Sequence, residues 1–452
     1  MKSILNIFVS IVTQPAILVA LIALIGLILQ KKKFSDVMSG TIKTIVGFLV
    51  LTGGSGILQN ALAPFAKMFQ VALNTQGVVP SNEAVVAIAL QDYGSQTALI
   101  MLVGMIVNIL LARFTRFKYL FLTGQAMMYV SCITAVILIS AGIKATPMVI
   151  LLGGLFEGTL LTITPALCQP FMKKITGNDN VAMGHTGNIG YAVAGWIGKW
   201  FGDDSKSTED MNVPQSFSFL RDSTVSIMLL MSVVYVILAL AAGTGYVEKE
   251  LSDGTSAIVY AIIQAGTFTA GFVVVLQGVR MVLAEIVPAF QGIAKKWVPN
   301  SKPALDVPII FSYAPNAVLI GFFTSFIVGT ISMFIMIGLH TTVIIPGVVG
   351  HFFCGAAAGI YGNSTGGRRG AILGSAINSL LLSWLPLAIL PLLGSLKMAA
   401  STFADTDYLI PGYILGKIGQ LGSGALIVAI ILFVIIVIVS SIFLDKRANS
   451  EL

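Results

Sequence analysis

The chain is interrupted near its middle by a polar, glycine-rich stretch, Met183-Gly184-His185-Thr186-Gly187-Asn188-Ile189-Gly190-Tyr191. Its three glycines allow the backbone to leave helical geometry. Between them, His185, Thr186 and Asn188 offer hydrogen-bonding groups to a hydroxylated ligand. In lipid, such a segment is tolerated only where it faces protein or a water-filled cavity. The stretch predicts the wall of a solute site or, equally well, a loop with a small-residue helix contact.

The composition is that of an integral membrane protein. Of 452 residues, 56% are hydrophobic and 10% are charged, and the mean hydropathy is +0.94. Soluble chains have about 25% charged residues, so a soluble fold is excluded. The net charge of +7 comes from short basic clusters between apolar runs, which is typical of orientation signals and not of nucleic-acid binding. The three scattered cysteines predict neither a disulfide framework nor a metal site.

About eleven membrane spans are expected, at roughly 20 apolar residues each. They are predicted at residues 4–29, 41–62, 96–112, 118–143, 147–170, 224–246, 255–283, 317–338, 341–361, 370–394 and 423–444. The stretch 183–200 and the region from Pro303 to Pro315 predict re-entrant or broken helices. No polar segment is long enough for a soluble domain, so residues 1–452 are expected to form one membrane domain. Any energy-coupling module is then a separate chain.

An internal repeat supports a transporter. Shifting the chain by 224 residues superimposes Gly47-Phe48-Leu49-Val50 on Gly271-Phe272-Val273-Val274, and five of the eighteen positions from 47 to 64 are identical. We predict one repeat at about 40–245 and a second at about 255–445. Repeats with a substrate site near the midplane at their interface are the usual plan of secondary transporters. An odd number of spans in each half would make the repeats inverted.

Polar side chains within apolar regions are candidate functional residues because membrane burial makes them costly. Asp306 lies between Pro303 and Pro308, where regular helix is prevented, and a carboxylate there can accept hydrogen bonds from sugar hydroxyls. The alternative is a helix N-cap at the membrane surface. Arg280 and Glu285 predict either a structural charge pair or part of the translocation path.

Two further pairs of polar residues are candidates for the same reason. Gln125 and Tyr129 are one helical turn apart and can face one cavity, although core packing explains Tyr129 equally well. Asn82 and Glu83 lie in a polar connection that indicates an extracytoplasmic mouth or a solvated loop. The longest polar loop, 202–221, is expected to be solvated, and 362–370 is expected to be a tight cytoplasmic turn. No nucleophile–base arrangement, metal motif or nucleotide motif is evident in the sequence, so we expect no catalytic residue, cofactor or covalent chemistry in this chain.

Several short motifs together are more specific than membrane composition. They are Gly40-Thr41-Ile42-Lys43-Thr44-Ile45-Val46-Gly47-Phe48, Gly54-Ser55-Gly56-Ile57-Leu58, Leu122-Thr123-Gly124, Gly184-His185, Gln277-Gly278-Val279-Arg280-Met281 with Ala284-Glu285, and Tyr313-Ala314-Pro315-Asn316-Ala317-Val318. With them the chain resembles, over almost its whole length, enzyme IIC of the bacterial phosphotransferase system, the membrane permease component, in its ascorbate-type branch.

The resemblance implies a homodimeric, all-α permease of about eleven spans with inverted repeats in the bacterial cell membrane. A core domain would carry the solute past a scaffold domain, in the manner of an elevator. The partners implied are a carbohydrate or sugar acid, separate IIA and IIB phosphocarrier proteins, and membrane lipids. Phosphorylation by IIB traps the product because the phosphate adds about −1.5 to −2 charges.

The resemblance also implies site residues. His185 and Asp306 match substrate contacts, whereas Gln125 stands where ascorbate permeases have His, and Tyr129 and Thr186 stand where they have Gln. Asn82-Glu83 aligns with Thr-Tyr. These departures put ascorbate in doubt, and an added Glu near the pocket suits a neutral sugar or polyol better. For Asn188, Arg280, Glu285 and Asn316 a structural or pathway role is expected.

Two other functions are compatible with the sequence. One is a permease of the same fold that is independent of phosphorylation or coupled to an ion. The other is a membrane-embedded solute sensor.

Overall fold

The computed structural model describes residues 15–74, 77–211, 219, 222–394 and 401–450. Within these residues, eight helices are long and apolar enough to cross a membrane, and shorter apolar helices accompany them. The expected class, a largely helical multi-pass membrane protein, is confirmed.

Both before and after residue 251, the chain forms one helix of 40 or 41 residues and then three short strands that each precede a helix. The helices before residue 251 are α1 (Pro15–Leu29), α2 (Phe34–Leu73), α3 (Asn82–Phe114), α4 (Gly124–Ser140), α5 (Thr146–Thr176), α6 (Asn188–Phe201), α7 (Ser223–Ala242) and α8 (Thr244–Glu250). Those after it are α9 (Ala257–Trp297), α10 (Pro315–Gly338), α11 (Val348–Ile389), α12 (Thr406–Gly419) and α13 (Ser423–Ser450). We refer to these two groups as the first half and the second half.

Some boundaries differ from those expected. The span predicted at 118–143 contains a strand followed by α4, which has 17 residues. The spans predicted at 341–361 and 370–394 correspond to the two arms of α11, which join at Gly366 and Gly367 (φ +55°), where the backbone is non-helical. There the chain folds back, since Ser375 Oγ donates to the carbonyl oxygen of Gly355 at 3.1 Å. The first predicted span begins outside the described residues, and the count of eleven stays a prediction.

Six short strands were not expected from the sequence. They are β1 (Gly77–Pro80), β2 (Tyr119–Phe121), β3 (Ala182–Met183), β4 (Lys302–Leu305), β5 (Val343–Ile344) and β6 (Ser401–Thr402). They form two parallel sheets, ordered β5-β1-β6 and β2-β4-β3. The central strand of each sheet comes from one half of the chain and both its neighbours come from the other half. Backbone hydrogen bonds therefore join the two halves.

Each strand leads into the beginning of a helix. Strands β1, β2, β3, β5 and β6 precede α3, α4, α6, α11 and α12 by two to five residues, and β4 precedes a 3₁₀ helix at Val307–Ile310. Because the strands of a parallel sheet run in one direction, their carboxyl ends lie at the same edge. This arrangement brings helix N-termini together in the middle of the protein.

Close helix crossings depend on glycine. At the crossing of α2 and α9, a Cβ on Gly278 would meet the backbone nitrogen of Leu51, and a Cβ on Gly54 would meet the backbone nitrogen of Val275 at 2.7 Å. Leu51 and Gly54 lie 224 residues before Val275 and Gly278, which is the spacing of the sequence match. The matched segments therefore pack against each other with like contacts.

The loop that follows α6, which was expected to be solvated, is also hydrogen-bonded to the start of α10. Glu209 accepts hydrogen bonds from the backbone nitrogens of Asn316 (3.1 Å) and Ala317 (3.0 Å) at the start of α10. The first N–H groups of a helix have no partner within the helix, and a carboxylate satisfies them well. Residues 203–211 are thus hydrogen-bonded to the second half, while most of their side chains remain exposed, as expected of a solvated loop.

Candidate functional site

A cavity of about 150 Å³ lies where the helix N-termini meet. All seven residues predicted to contact a solute line it: Asn82, Glu83, Gln125, Tyr129, His185, Thr186 and Asp306. They come from four separate segments of the chain, so the fold brings together residues that are up to 224 positions apart. Arg280 lines the same cavity from α9.

The glycine-rich stretch forms one wall, with a defined histidine tautomer. Nδ1 of His185 accepts a hydrogen bond from the backbone nitrogen of Gly187 at 3.1 Å and lies 2.7 Å from the hydroxyl of Tyr191. A backbone N–H can only donate, so Nδ1 is an acceptor and the ring proton lies on Nε2. The ring of His185, which lines the cavity, therefore has Nε2–H as its available donor.

Asp405 also lines the cavity and was missed by the sequence reasoning. The hydroxyl of Thr186 donates to Oδ2 of Asp405 at 2.6 Å, and the backbone nitrogen of Asp407 donates to the carbonyl oxygen of Thr186 at 2.8 Å. Asp405 is 3% exposed. Asp405 and Asp407 are two acidic residues close together in a chain that has few of them. This spacing is a signal in the sequence that could have identified the position.

The N-terminus of α6 is capped from the other half of the chain. The backbone nitrogens of Asn188 and Ile189 donate to the carboxylate of Asp407, at 3.2 and 2.8 Å, and that of Gly190 donates to the hydroxyl of Thr406 at 3.0 Å. A carboxylate is favoured at this end of a helix by the backbone dipoles. The start of α12 therefore holds His185 and Thr186 in place at the cavity.

One carboxylate oxygen of Asp306 accepts a hydrogen bond from the backbone, and the other lies at the cavity. Its Oδ1 accepts from the backbone nitrogen of Val307 at 2.8 Å, which caps the 3₁₀ helix, and its Oδ2 accepts from Nε2 of Gln125 at 3.1 Å. The side chain therefore caps a helix and also lines the cavity, and its contact with a sugar stays a prediction. Its bond to Gln125 joins β4 of the second half to α4 of the first.

The start of α3 forms a further wall, at the carboxyl edge of the sheet β5-β1-β6. Oδ1 of Asn82 accepts from the backbone nitrogen of Ala404 at 2.8 Å, and the hydroxyl of Ser81 donates to Oε2 of Glu83 at 3.3 Å. Asn82 and Glu83 are 7% and 8% exposed. They form part of a buried wall and are not a solvated loop.

Tyr129 leaves hydrogen-bonding capacity unused. Its ring is 4% exposed, and its hydroxyl has no hydrogen-bond partner among the described residues. A buried hydroxyl without a partner costs about 1–3 kcal/mol. A ligand or water in the cavity would remove that cost.

The remaining predicted residues lie away from the cavity wall or outside the described side chains. The Nδ2 group of Asn188 donates to the carbonyl oxygen of Met183 at 3.3 Å, and that of Asn316 donates to the carbonyl oxygen of Met211 at 2.9 Å. Glu285 lies in α9, but its side chain is outside the described residues, so its pairing with Arg280 stays a prediction.

One group of side chains has the composition of a metal site. The ligand-type atoms of His185, Cys354 and Asp405 lie within 4.8 Å of one another. The hydroxyl of Tyr191 lies between two of them, 2.7 Å from Nδ1 of His185 and 3.5 Å from Sγ of Cys354. A chain of hydrogen bonds accounts for this grouping, and we assign it no metal.

The helices, the two sheets that combine strands of both halves, and the polar cavity define a multi-pass membrane protein with an internal site. Residues 10–407 match the family described as PTS system sugar-specific permease component, and the chain belongs to this family. The resemblance seen in the sequence motifs is thereby confirmed.

A curated relative carries a more specific name. The protein named ascorbate-specific PTS system EIIC component, from Mycoplasma pneumoniae (strain ATCC 29342 / M129 / Subtype 1), is 28% identical over 414 residues. The alignment covers 80% of this chain and 62% of the relative. The chain therefore spans less than two thirds of that relative's length.

Proposed function

We propose that this chain is the IIC subunit of a phosphotransferase system, which binds a polyhydroxylated solute in the cavity and delivers it for phosphorylation by a separate IIB protein. The observation that carries this proposal is the cavity lined by polar side chains in a member of the sugar-specific permease family. The chemistry of phosphoryl transfer belongs to the IIA and IIB partners. The chain itself contributes binding and translocation.

Hydroxyl groups of the solute are recognised by acceptors and donors that line the cavity. The carboxylates of Asp306, Asp405 and Glu83 accept hydrogen bonds, and charge-assisted bonds of this kind are the stronger ones. Nε2–H of His185 and the hydroxyl of Tyr129 donate. A ring or chain with several hydroxyl groups satisfies both sets.

The charges at the cavity favour a neutral sugar or polyol. Three carboxyl groups line it, from Glu83, Asp306 and Asp405, against one guanidinium, that of Arg280. The second candidate is a sugar acid such as ascorbate, which the name of the relative favours. An anionic solute would have to approach these carboxylates, and buried like charges cost several kcal/mol.

The architecture supports a moving carrier. We propose that the two halves are inverted repeats, that a core carrying the cavity moves past a scaffold in the manner of an elevator, and that the protein is a homodimer in the bacterial cell membrane surrounded by lipid. The recurring order of elements and the like contacts of α2 and α9 support the repeats.

Reconstitution tests the function directly. Membranes containing the chain are mixed with phosphoenolpyruvate, the general carriers and the cognate IIA and IIB proteins, and are supplied with labelled sugars, polyols and ascorbate in turn. We expect a phosphorylated neutral solute. Facilitated uptake with no phosphorylated product from any solute would instead support the phosphorylation-independent permease, and binding without uptake would support a sensor.

Substitutions test the site. We expect Asp306→Asn and His185→Ala to abolish saturable solute binding, because each removes a hydrogen-bonding group at the cavity, while the oligomeric state is unchanged. Asp204→Asn, at an exposed position, is the matched control and should bind like the wild type. Wild-type affinity in both cavity variants would remove these residues from the site.

A further inference from the structure

A carboxyl group is buried within the helix bundle and takes no part in the cavity. Glu157 lies midway along α5, and its side chain is 0% exposed. It is not among the residues that line the cavity. A charged side chain at the centre of a span costs at least about 2.5–3.5 kcal/mol, so an ionisable residue there indicates a function.

The contacts of Glu157 fit the protonated acid. Oγ of Ser131 lies 2.8 Å from Oε2 of Glu157 and 2.9 Å from the carbonyl oxygen of Met127. A hydroxyl has one proton to donate, and the carbonyl oxygen can only accept. Both contacts are hydrogen bonds only if Ser131 donates to Met127 and the acid donates to Ser131. The other oxygen, Oε1, has no partner among the described residues, which would leave a carboxylate poorly compensated.

No positive charge offsets a carboxylate at this position within the described part of the chain. The salt bridges described there involve other residues, and the side-chain hydrogen bond described for Glu157 is with Ser131. The helices that contact the carboxyl are α3 and α4, and α13 packs on α5. The titratable side chains on these helices are Glu83, Asp92, Tyr93 and Arg113 on α3, Tyr129 and Cys132 on α4, and Cys168, Lys173 and Lys174 on α5, with none between 423 and 442 on α13.

The space for the carboxyl is closed on the side of α3. A Cβ on Gly104 would lie 2.5 Å from Oε2 of Glu157. Gly154 and Gly158 on α5 are also in tight contact with α3, because a Cβ on either would meet Val103 or Val107. Water or a counter-ion can therefore reach the carboxyl only if the helices separate.

The same helix connects Glu157 to the cavity. Ser131 lies on α4, and so do Gln125 and Tyr129, which line the cavity. Gln125 also donates to Asp306 in the second half. A displacement of α4 away from α3 and α5 would thus change the solute site.

We propose that Glu157 is a proton-binding site of this carrier, occupied in the conformation described here and emptied to water when α4 separates from α3 and α5. Solute binding would then be linked to pH through this residue. The inference goes beyond the proposed function and relies on it only for the solute measurement.

Infrared spectroscopy tests the proton directly on the full chain in lipid. We expect the carbonyl band of a protonated carboxylic acid to disappear at high pH in the wild type, and this component to be absent in Glu157→Gln. Glu250→Gln, the same substitution at an exposed glutamate, should retain it. Identical difference spectra for Glu157→Gln and the wild type would overturn the proposal.

Solute affinity against pH tests the linkage. Affinity should change by at most about tenfold per pH unit for one linked proton, and Glu157→Gln should lose this component because the amide cannot ionise. The cavity carboxylates are unchanged in this variant, so the difference between the two profiles reports Glu157. Parallel profiles would sink the inference, whereas a wild type that binds no solute at any pH would sink the proposed function and leave the infrared result standing.

Discussion

The hydroxyl of Thr186 and the carboxylate of Asp405 meet where the N-termini of α6 and α12 approach each other, with 2.6 Å between their oxygens. Each residue is almost fully buried, at 2% and 3% exposure. The bond therefore has a double role, because it satisfies a buried carboxylate and fixes the wall beside His185. Loss of the hydroxyl affects both stability and the site.

Thr186→Val is expected to destabilise the protein by about 1–3 kcal/mol, since it leaves a buried acceptor without its donor. Solute affinity should fall as well. Unfolding midpoints in detergent and binding isotherms measure the two effects. Thr186→Ser keeps the hydroxyl and should stay close to the wild type, and an unchanged midpoint in Thr186→Val would show that the bond contributes little.

The residues of the site divide into those that the sequence could reveal and those that it could not. Asp306 and His185 stand out because polar groups on broken helix are costly in lipid and because the family motifs include His185. Asp405 stands close to Asp407 in the sequence, but its contact with Thr186, 219 positions away, has no local pattern. Glu157 was not among the predicted residues, although it is an ionisable residue inside the span predicted at 147–170. The cost of burying such a side chain is enough to indicate a functional residue.

At the scale of elements, the crossing of α2 and α9 is the closest test of packing. Gly278→Ala is expected to destabilise the protein by about 1–3 kcal/mol, because a Cβ there would press on the backbone of Leu51 and Gly47. Gly53→Ala on α2 is the matched control, as nothing lies within 4 Å of a Cβ at that position. Equal thermal stability of the two variants would contradict the close crossing.

An ion-pair network lies at the edge of the sheet β2-β4-β3 where β4 begins. Asp179 lies 2.9 Å from Nζ of Lys173 and 2.7 Å from Nζ of Lys302, and it accepts from Nε2 of Gln169 at 2.6 Å. Partial burial acts to raise the pKa of Asp179, but these three hydrogen bonds outweigh it and lower the pKa to about 2. Loop and strand are tied together by one carboxylate.

This network predicts a pH dependence of stability. A lowered folded-state pKa stabilises the protein above the unfolded value of 3.8, and the contribution is lost as the pH falls from about 4 towards 2. The effect should be small, because Asp179 is 40% exposed and solvent screens the pairs. Thermal midpoints should decline less over this range in Asp179→Asn than in the wild type or in Asp204→Asn. Parallel declines would rule the network out as a source of the effect.

Long elements were easier to predict than short ones. Apolar runs of about 20 residues identify spans directly, because few other structures can bury them. Strands of two to four residues have no usable periodicity, and their partners lie in the other half of the chain. The starts of α4 and α11 were predicted too early for the same reason, since a strand precedes each.

At the scale of the whole molecule, the exchange of strands makes the halves interdependent. Strand β1 needs β5 and β6 from the second half, and β4 needs β2 and β3 from the first. Neither half completes a three-stranded sheet alone. The cavity likewise draws on both halves.

A split chain tests this interdependence. The protein is divided between Asp253 and Gly254, in the exposed connection between α8 and α9, and the two parts are produced separately or together. We expect the parts to copurify as one solute-binding complex when produced together and to aggregate or be degraded when produced alone. A first half that purifies alone as a stable, monodisperse protein would contradict the prediction.

The exchanged strands also bear on ancestry. If the two halves arose by duplication, a precursor of half the length would have had a central strand with no flanking partners from its own chain. A second copy in the opposite orientation would have supplied them, so the precursor was complete only as a pair. Fusion of the two genes would then have turned a contact between molecules into a contact within one.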